Sequence, residues 1–570
     1  MRPFAQAVWA SRYQYTRDGT IVDADLEATF ARVARAVAQV EADPDLWSAR
    51  YAAALTELRF LPGGRILAGA GTDKQVTLFN CFVSGPLEDS IPGILDSLKE
   101  TAMTMQQGGG VGVDFSTLRP RGAVARKTGA TASGPVSFMH IWDSLCETLL
   151  ATSSRRGAMI GVLRCDHPDI IEFIEAKLDR GALNNFNLSV LITDAFMAAV
   201  SRNDEWPLHD PGGGAVHRHV GARELWQRIV NAAHAASEPG LLFVDRINRE
   251  NNLYYCEHIS TTNPCGEVPL PPYGACDLGS INLARLVDAP FTSRSKIDSA
   301  KLREAVGLAV RFLDGVIDVS AFPLRAQADK ARTTRRIGLG VTGLADALIM
   351  LGIHYDSDRG RDIGAQLVTQ IRDTAYEASV QLADEKGAFE LFDRESYLDS
   401  PFVRRLPGSI REAIDTRGIR NSHLLAIAPA GSISLLAGNV SSGIEPVFAL
   451  EAERAVLGSD RQISRFHVRD YAYGLWLGSQ ERSQPRPDIF VTADQLSPTA
   501  HLRMQAVLQP VIDGAISKTV NLPAAASRDD VADVFRLAWE SSVKGCTVYR
   551  QGSRGGQVIK ACTDTECGDS

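Results

Sequence analysis

The sequence predicts an α/β fold behind a helical entry segment, and three observations lead there. From about Leu61 to Arg550, short apolar runs such as Leu188 to Ile192, Leu241 to Val244 and Leu424 to Ala428 alternate with helical patterns, the alternation that a mostly parallel sheet covered by helices requires. Ahead of this region, Asp23 to Glu41 and Trp47 to Arg59 carry the apolar spacing of amphipathic helices. At 570 residues, 45% hydrophobic and 22% charged, the chain can bury one large core or about two to four ordinary domains. The expected organisation is a helical segment over 1–60, an α/β body over 61–552 and a flexible tail over 553–570. Within the body, Asp166 reads as an N-cap and Pro168 as a first-turn residue, with Ile170, Ile171, Phe173 and Ile174 forming one apolar face. No fixed-period repeat is visible. The tail from Gln551 is rich in Gly, Ser, Thr and Asp and is expected to be mobile.

Composition excludes several classes. The formal net charge of -8 comes from 68 acidic and 60 basic residues interspersed along the chain, so no basic surface for duplex nucleic acid is expected. Met1 to Arg12 lacks the apolar stretch and small-residue cleavage site of a leader, and no segment approaches membrane-spanning length. A cytoplasmic protein is expected. Nine cysteines in such a chain are too sparse for a secreted disulfide scaffold; in a reducing compartment they are free, catalytic or metal-bound.

The most informative segment is Thr262-Asn263-Pro264-Cys265-Gly266-Glu267, followed after a Pro-rich stretch by Tyr273-Gly274-Ala275-Cys276-Asp277-Leu278-Gly279-Ser280-Ile281-Asn282-Leu283. Pro264 and Gly266 disfavour helix or strand around Cys265 and put the thiol at a sharp tip. An amide lies two residues before it and a carboxylate two after, which assembles a sulfur, a hydrogen-bonding group and a potential base. A turn whose cysteine merely fills space explains the segment equally well when it is taken alone.

Several separated motifs shift that balance. Asn263 to Glu267 together with Ala275 to Leu283 resembles the active-site finger loop of ribonucleotide reductase large subunits. In order along the chain, Asn80-Cys81-Phe82-Val83 resembles the first redox-cysteine motif of that family, Gly108 to Val113 its glycine-rich substrate loop, Asn185 to Val190 the stretch beside its specificity loop, Ala428 to Ser434 its phosphate-binding turn, and Lys544 to Arg550 its closing barrel segment. The resemblance implies a ten-stranded α/β barrel with Cys265 on an internal finger loop. It implies a thiyl radical on Cys265 that abstracts the ribose 3′-hydrogen, Glu267 as base for the 3′-hydroxyl, Asn263 as the group that orients the substrate hydroxyls, and Cys81 with Cys276 as the reducing pair that ends as a disulfide. Implied substrate contacts are Asn80, Cys81, Gly110, Asn263, Pro264, Cys265, Gly266, Glu267, Pro429, Ala430, Gly431, Ser432 and Ile433. The substrate would be a ribonucleoside di- or triphosphate.

Cys562 and Cys567, a C-x4-C pair on the tail, suit thiol–disulfide exchange with the buried pair and re-reduction by a thioredoxin-like protein. The competing reading, half of a zinc site, lacks a second paired Cys/His set nearby. Cys146, Cys165, Cys256 and Cys546 read as structural. The eleven histidines are scattered without ligand spacing, so no metal site is expected. The turn at Gly431, Ser432 and Ser434 follows an expected strand, where amides and hydroxyls can receive phosphate. The family usually has Thr where Ala430 stands, so a hydroxyl contact is missing there while the backbone contribution can remain, and many relatives carry Ser or Thr in the region of Gly63-Gly64, which leaves that substrate contact open.

The class follows by exclusion. The closing segment reads Thr547-Val548-Tyr549 without the tyrosine pair of class I, and the tail lacks the Arg-x-x-Gly-Tyr motif and the four-cysteine zinc site of the glycyl-radical class. Adenosylcobalamin is then the expected radical source. The short N-terminal segment leaves little room for an ATP-cone domain. Deoxynucleoside triphosphate effectors are expected near Asn185 and the helix from Phe138, at the interface of a homodimer. Two rivals stand beside this reading: a class I large subunit that depends on a metal-containing partner, and a nucleotide-binding regulatory protein that has lost its chemistry.

Overall fold

The computed structural model of the chain describes residues 3–561 apart from 125–128, 153–157, 180, 212–213, 458–461, 480–484 and 554–559. The first part is helical, with Pro3–Arg12, Leu26–Ala38, Pro44–Thr56 and Gly64–Gly69. Capping sets two of the starts: Asp25 accepts the amide of Ala28 at 2.8 Å and Asp43 that of Leu46 at 3.0 Å, with Pro44 in the first turn. Asp23, at the expected start of the second of these helices, stays outside it. Its buried carboxylate instead accepts from Thr29 Oγ1 at 2.7 Å and Arg32 Nη2 at 2.8 Å, which ties the helix to the preceding loop.

The body is built on a ten-stranded mixed sheet. Its strands in chain order are β1 (Phe60–Pro62), β2 (Cys81–Val83), β3 (Gly110–Asp114), β4 (Met159–Arg164), β5 (Phe186–Ile192), β6 (Gly240–Phe243), β7 (Ala275–Asn282), β8 (Ile337–Thr342), β9 (Thr519–Leu522) and β10 (Gly545–Arg550). The hydrogen-bonded order is β8-β7-β2-β3-β4-β5-β6-β10-β9, with β1 on β7. Strands β2 to β6 run parallel, which requires crossover connections between them, here made through helices. The pairs β7 with β8 and β9 with β10 are also parallel, and the two sets meet antiparallel at β2/β7 and β6/β10. Apolar runs such as Phe186–Ile192 are buried nearly throughout, as strands covered on both faces must be.

The run Leu424 to Ala428, expected as a strand, forms two isolated parallel bridges, Leu339 to Leu425 and Ile427 to Ile516. Buried Asp513 holds this segment: its carboxylate accepts the amides of Leu424 and Leu425, both at 2.8 Å, and the Tyr376 hydroxyl at 2.7 Å. The helix expected from Asp166 begins four residues later, as Ile170–Glu175. Asp166 is engaged by Arg164 Nε at 2.8 Å and is not available as a cap. In the tail, Lys560–Ala561 pairs antiparallel with Glu453 and Ala452 of the Glu451–Leu457 strand.

Between β6 and β7 the chain makes a short hairpin, Thr261–Thr262 against Pro269–Leu270, with residues 263–268 as its loop. It lies against β3 so closely that a Cβ on Gly112 would sit 1.9 Å from the carbonyl oxygen of Thr262. Gly112→Ala must therefore displace the hairpin. The expected outcome is a lower unfolding midpoint, a loss of about 1–3 kcal/mol from overpacking, together with impaired turnover; an unchanged midpoint with full activity would contradict this packing.

Candidate active site

The loop of the hairpin is shaped by its own residues. Asn263 N donates to Val268 O at 3.2 Å, Val268 N donates to Asn263 Oδ1 at 2.9 Å, and Gly266 N donates to Asn263 O at 3.0 Å. Gly266 takes φ +82, a left-handed conformation that a glycine adopts without cost from a Cβ. Both sides of the surrounding sheet grip the loop. Asn187 Nδ2 on β5 donates to Pro264 O at 3.0 Å, and Ala515 N, just before β9, donates to Glu267 O at 2.8 Å.

Cys81 at the start of β2 and Cys276 on β7 are direct partners across the antiparallel pair. Cβ atoms so placed lie about 4.5–5.5 Å apart, a small approach from the roughly 3.5–4.5 Å of a disulfide. Both thiols are free. Asn263 Nδ2 donates to Cys81 Sγ at 3.1 Å, and the Cys81 thiol donates to Glu267 Oε1 at 3.8 Å. Two cysteines, an amide and a carboxylate, spread over nearly two hundred residues of chain, thus form one buried cluster.

Burial dominates its electrostatics. It pushes the Cys81 thiol up, reinforced by the neighbouring Glu267 charge, and pushes the Cys276 thiol up, reinforced by Asp277. Glu267 is raised to about 7 by burial, partly offset by hydrogen bonds to its charged form. Among the described residues its buried Oε2 has no hydrogen-bond partner. Cys265 is exposed at the tip of the loop, and desolvation by the surrounding protein together with Glu267 pushes its thiol up as well. Asn187 on β5 and Thr547 on β10 are likewise exposed on central strands, and nothing lies within 4 Å of where a Gly266 Cβ would be. The finger tip is therefore not packed over.

The expected phosphate turn lies close by. Pro429, Ala430, Gly431, Ser432 and Ile433 line a cavity of about 230 Å³ shared with Gly63 and Asn80. Asn80 Oδ1 is buried there without a partner, and Asn80 O accepts from Gly110 N at 2.9 Å. All the sequence-derived substrate residues thus surround the hairpin tip or this adjoining cavity. Cys562 and Cys567 lie outside the described residues. Of the four remaining cysteines, Cys146, Cys165 and Cys546 are buried, whereas Cys256 is exposed and fills no core space. Among the described residues no cluster of His, Cys, Asp or Glu could hold a metal ion.

Two contributors had no role assigned from the sequence: Tyr13, which lies in no motif, and Lys544, which opens the closing segment. Tyr13, buried just after the first helix, shares a hydrogen bond of 2.5 Å with Ser432 Oγ. Lys544 is buried with its ammonium on the carbonyl oxygens of Asp513 at 2.6 Å and Gly514 at 2.8 Å, immediately before the amide that holds Glu267. Burial lowers it to about 8. Tyr13 and its partner are 419 positions apart, and only the folded chain brings them together.

Comparison with known proteins agrees with this arrangement. Residues 79–549 match the ribonucleotide reductase barrel domain and residues 2–75 the ribonucleotide reductase all-alpha domain. A protein of Mycobacterium tuberculosis (strain CDC 1551 / Oshkosh) named vitamin B12-dependent ribonucleoside-diphosphate reductase is 43% identical over 90% of this chain and 73% of its own length. One of Thermoplasma acidophilum with the same name is 39% identical over 90% of this chain and 66% of its own. The ribonucleoside-diphosphate reductase large chain of Neurospora crassa is 27% identical over 88% of this chain and 59% of its own. With two domains of one family matched in succession, and a cysteine pair and finger hairpin assembled where the matched region folds, the chain belongs to the ribonucleotide reductase family.

Proposed function

We propose that this chain reduces ribonucleotides to 2′-deoxyribonucleotides by cysteine-radical chemistry, with adenosylcobalamin as radical generator. The observation that carries the reading is the buried cluster in which Cys81 faces Cys276 across β2 and β7 while Asn263 and Glu267 both reach Cys81. A binding-only protein has no use for a reducible pair beside a protected thiol. The higher identities to relatives named as vitamin B12-dependent, against 27% to a large chain not so named, favour the cobalamin class over class I.

The sheet is read as a closed ten-stranded barrel around the finger. The bridges Leu339 to Leu425 and Ile427 to Ile516 support this, because they connect the edge strand β8 toward β9. Cys265, Asn187 and Thr547 are exposed and nothing lies within 4 Å of a Gly266 Cβ, which leaves the thiol approachable by a bound cofactor. Adenosylcobalamin, when bound, would supply a weak cobalt–carbon bond as the radical source for Cys265. The protein's own residues do the rest. The Cys265 sulfur takes the ribose 3′-hydrogen; Glu267, tuned near neutrality, takes the 3′-hydroxyl proton; Asn263 orients the hydroxyls. The 2′-hydroxyl leaves as water, Cys81 and Cys276 give up two electrons and two protons as they become a disulfide, and the 3′-hydrogen returns from Cys265. Elevated thiol pKa values keep these sulfurs protonated until they are oxidised.

Around this centre we place a thioredoxin-like reductant acting through Cys562 and Cys567, and a homodimer with a deoxynucleoside triphosphate site beside the helix Pro135–Thr152. Asp143 on that helix accepts Asn185 N at 2.8 Å, two residues before the Asn187 that holds Pro264, a short path from effector to finger. Among the described residues no helix is long and apolar enough to cross a membrane, and a cytoplasmic setting suits the reduced cysteines.

The deciding experiment is reduction of CDP and CTP with dithiothreitol, with and without adenosylcobalamin. Turnover is expected only with the cofactor, and Cys265→Ala should abolish it while nucleotide binding persists; cofactor-independent turnover, or steady turnover by the variant, refutes the assignment. Because Glu267 must be ionised to act as a base, kcat/KM should fall as pH drops through about 7, and Glu267→Gln should cost roughly 10²- to 10⁴-fold; a flat profile down to pH 5 argues against this base. The double variant Cys562→Ser, Cys567→Ser should lose turnover with thioredoxin but keep it with dithiothreitol, and equal loss with both reductants would exclude the shuttle.

A further inference from the structure

Lys544 lies buried at the entry to β10, and its backbone is fixed by Phe243 N at the end of β6, which donates to Lys544 O at 3.0 Å. From there the ammonium crosses to the segment before β9 and donates to Asp513 O at 2.6 Å and Gly514 O at 2.8 Å. The next residue, Ala515, gives its amide to Glu267 O at 2.8 Å. Gly514 is wedged between the neighbours of this segment. Its N donates to Leu425 O at 2.9 Å, and a Cβ on it would lie 2.5 Å from Leu425 O and 3.3 Å from Glu267 O. In packing this close, a displacement at 514 is passed on to 267.

A buried ammonium is a costly way to bond two carbonyl groups, because a charge taken out of water needs counter-charge and hydrogen bonds in return. Glu250 and Asp513 attract Lys544, while Arg405 opposes them. The Asp513 carboxylate is itself held by the amides of Leu424, Leu425 and Gly514, each at 2.8 Å, and by the Tyr376 hydroxyl. Arg336 and His423 border the same small hollow as Lys544 and Asp513. Arg336 is paired with Glu257, and burial, reinforced by Arg336 and Lys544, keeps His423 neutral. Gln509 Nε2 also reaches Gly514 O, at the longer distance of 3.3 Å. Lys544 is therefore the closer holder of that carbonyl, and both of its bonds go to backbone immediately before the amide that grips the finger.

We propose that Lys544 is a positioning residue for the reaction: by clamping residues 513 and 514 it keeps Ala515 N on the carbonyl of Glu267, and so holds the Glu267 carboxyl beside Cys81 and out of water. This rests on the reading of Glu267 as the base. Without the clamp, the loop keeps its hold through Asn187 on Pro264 but loses the one nearest Glu267. The groups facing that carboxyl are Cys81 of β2, Cys276 of β7, and Asn263 and Cys265 of its own loop, none of them cationic. Solvent entry then governs the outcome: Glu267, raised by burial to about 7, returns toward the ordinary glutamate value of 4.5 and becomes a weaker base.

The test measures steady-state CDP reduction by the full chain with adenosylcobalamin and dithiothreitol across pH 5 to 9. Lys544→Met, close in volume but without donors, should lower kcat by roughly tenfold to a hundredfold, the cost of a misplaced reacting group. The acid limb of kcat/KM should move down by about one pH unit or more. Lys544→Gln, whose amide can still reach one carbonyl, should fall between, and it gives the same reading if Lys544→Met does not fold. Retained spectroscopic binding of adenosylcobalamin identifies a folded variant. A folded variant with the parental kcat and acid limb overturns the proposal. So does one that loses turnover while its acid limb stays in place, because Lys544 would then serve stability alone. If the unmodified enzyme has no acid limb near pH 7, or Glu267→Gln keeps full turnover, the base reading itself has failed, and this inference with it.

Discussion

The finger hairpin stands where it does because neighbouring segments hold its backbone from two directions. β3 presents Gly112 so that Thr262 O can approach its Cα, β5 reaches Pro264 O through Asn187, and the segment before β9 reaches Glu267 O through Ala515 N. A loop of six residues would not otherwise keep a reactive sulfur in one place, because loops ordered only at their ends retain many conformations. Here the tip is gripped by both halves of the sheet, and the carbonyl groups that would otherwise be buried unpaired are the points of grip.

The same arrangement sets the electrostatics. Removing Glu267 from water raises it to about 7, and one of its oxygens has no hydrogen-bond partner among the described residues. The neighbouring thiols are raised by the same burial. Lys544 and Asp513 underlie this corner. The ammonium bonds two carbonyls and the carboxylate bonds two amides, so that the Leu424–Leu425 segment, residues 513–514 and the entry to β10 form one unit behind the finger. A buried charged group that is fully hydrogen-bonded can fix geometry even where its net contribution to stability is small.

The turn at Pro429–Ile433 shows how a short motif acquires partners from afar. Ser432 meets Tyr13 of the helical entry segment. The entry segment is thus part of the site's wall, and its helices are more than an approach to the body.

Local chemistry made part of this legible in the sequence. The Pro and Gly around Cys265 demand a sharp turn whatever surrounds them, the buried runs of β5 and β6 are long enough to be read as strands, and the motif containing Cys276 is continuous. The start of the Ile170–Glu175 helix was misplaced because Asp166 is a good cap by type but is taken by Arg164. Leu424 to Ala428 has the composition of a strand, but it crosses between two neighbours and bonds each only briefly. The sequence by itself determined which residue types exist to do chemistry and which turns carry them. Only the tertiary structure decided that Cys81 faces Cys276, that Glu267 loses its water, and that Tyr13 reaches Ser432. Those facts depend on contacts between segments hundreds of residues apart, and on how much solvent the fold leaves around them.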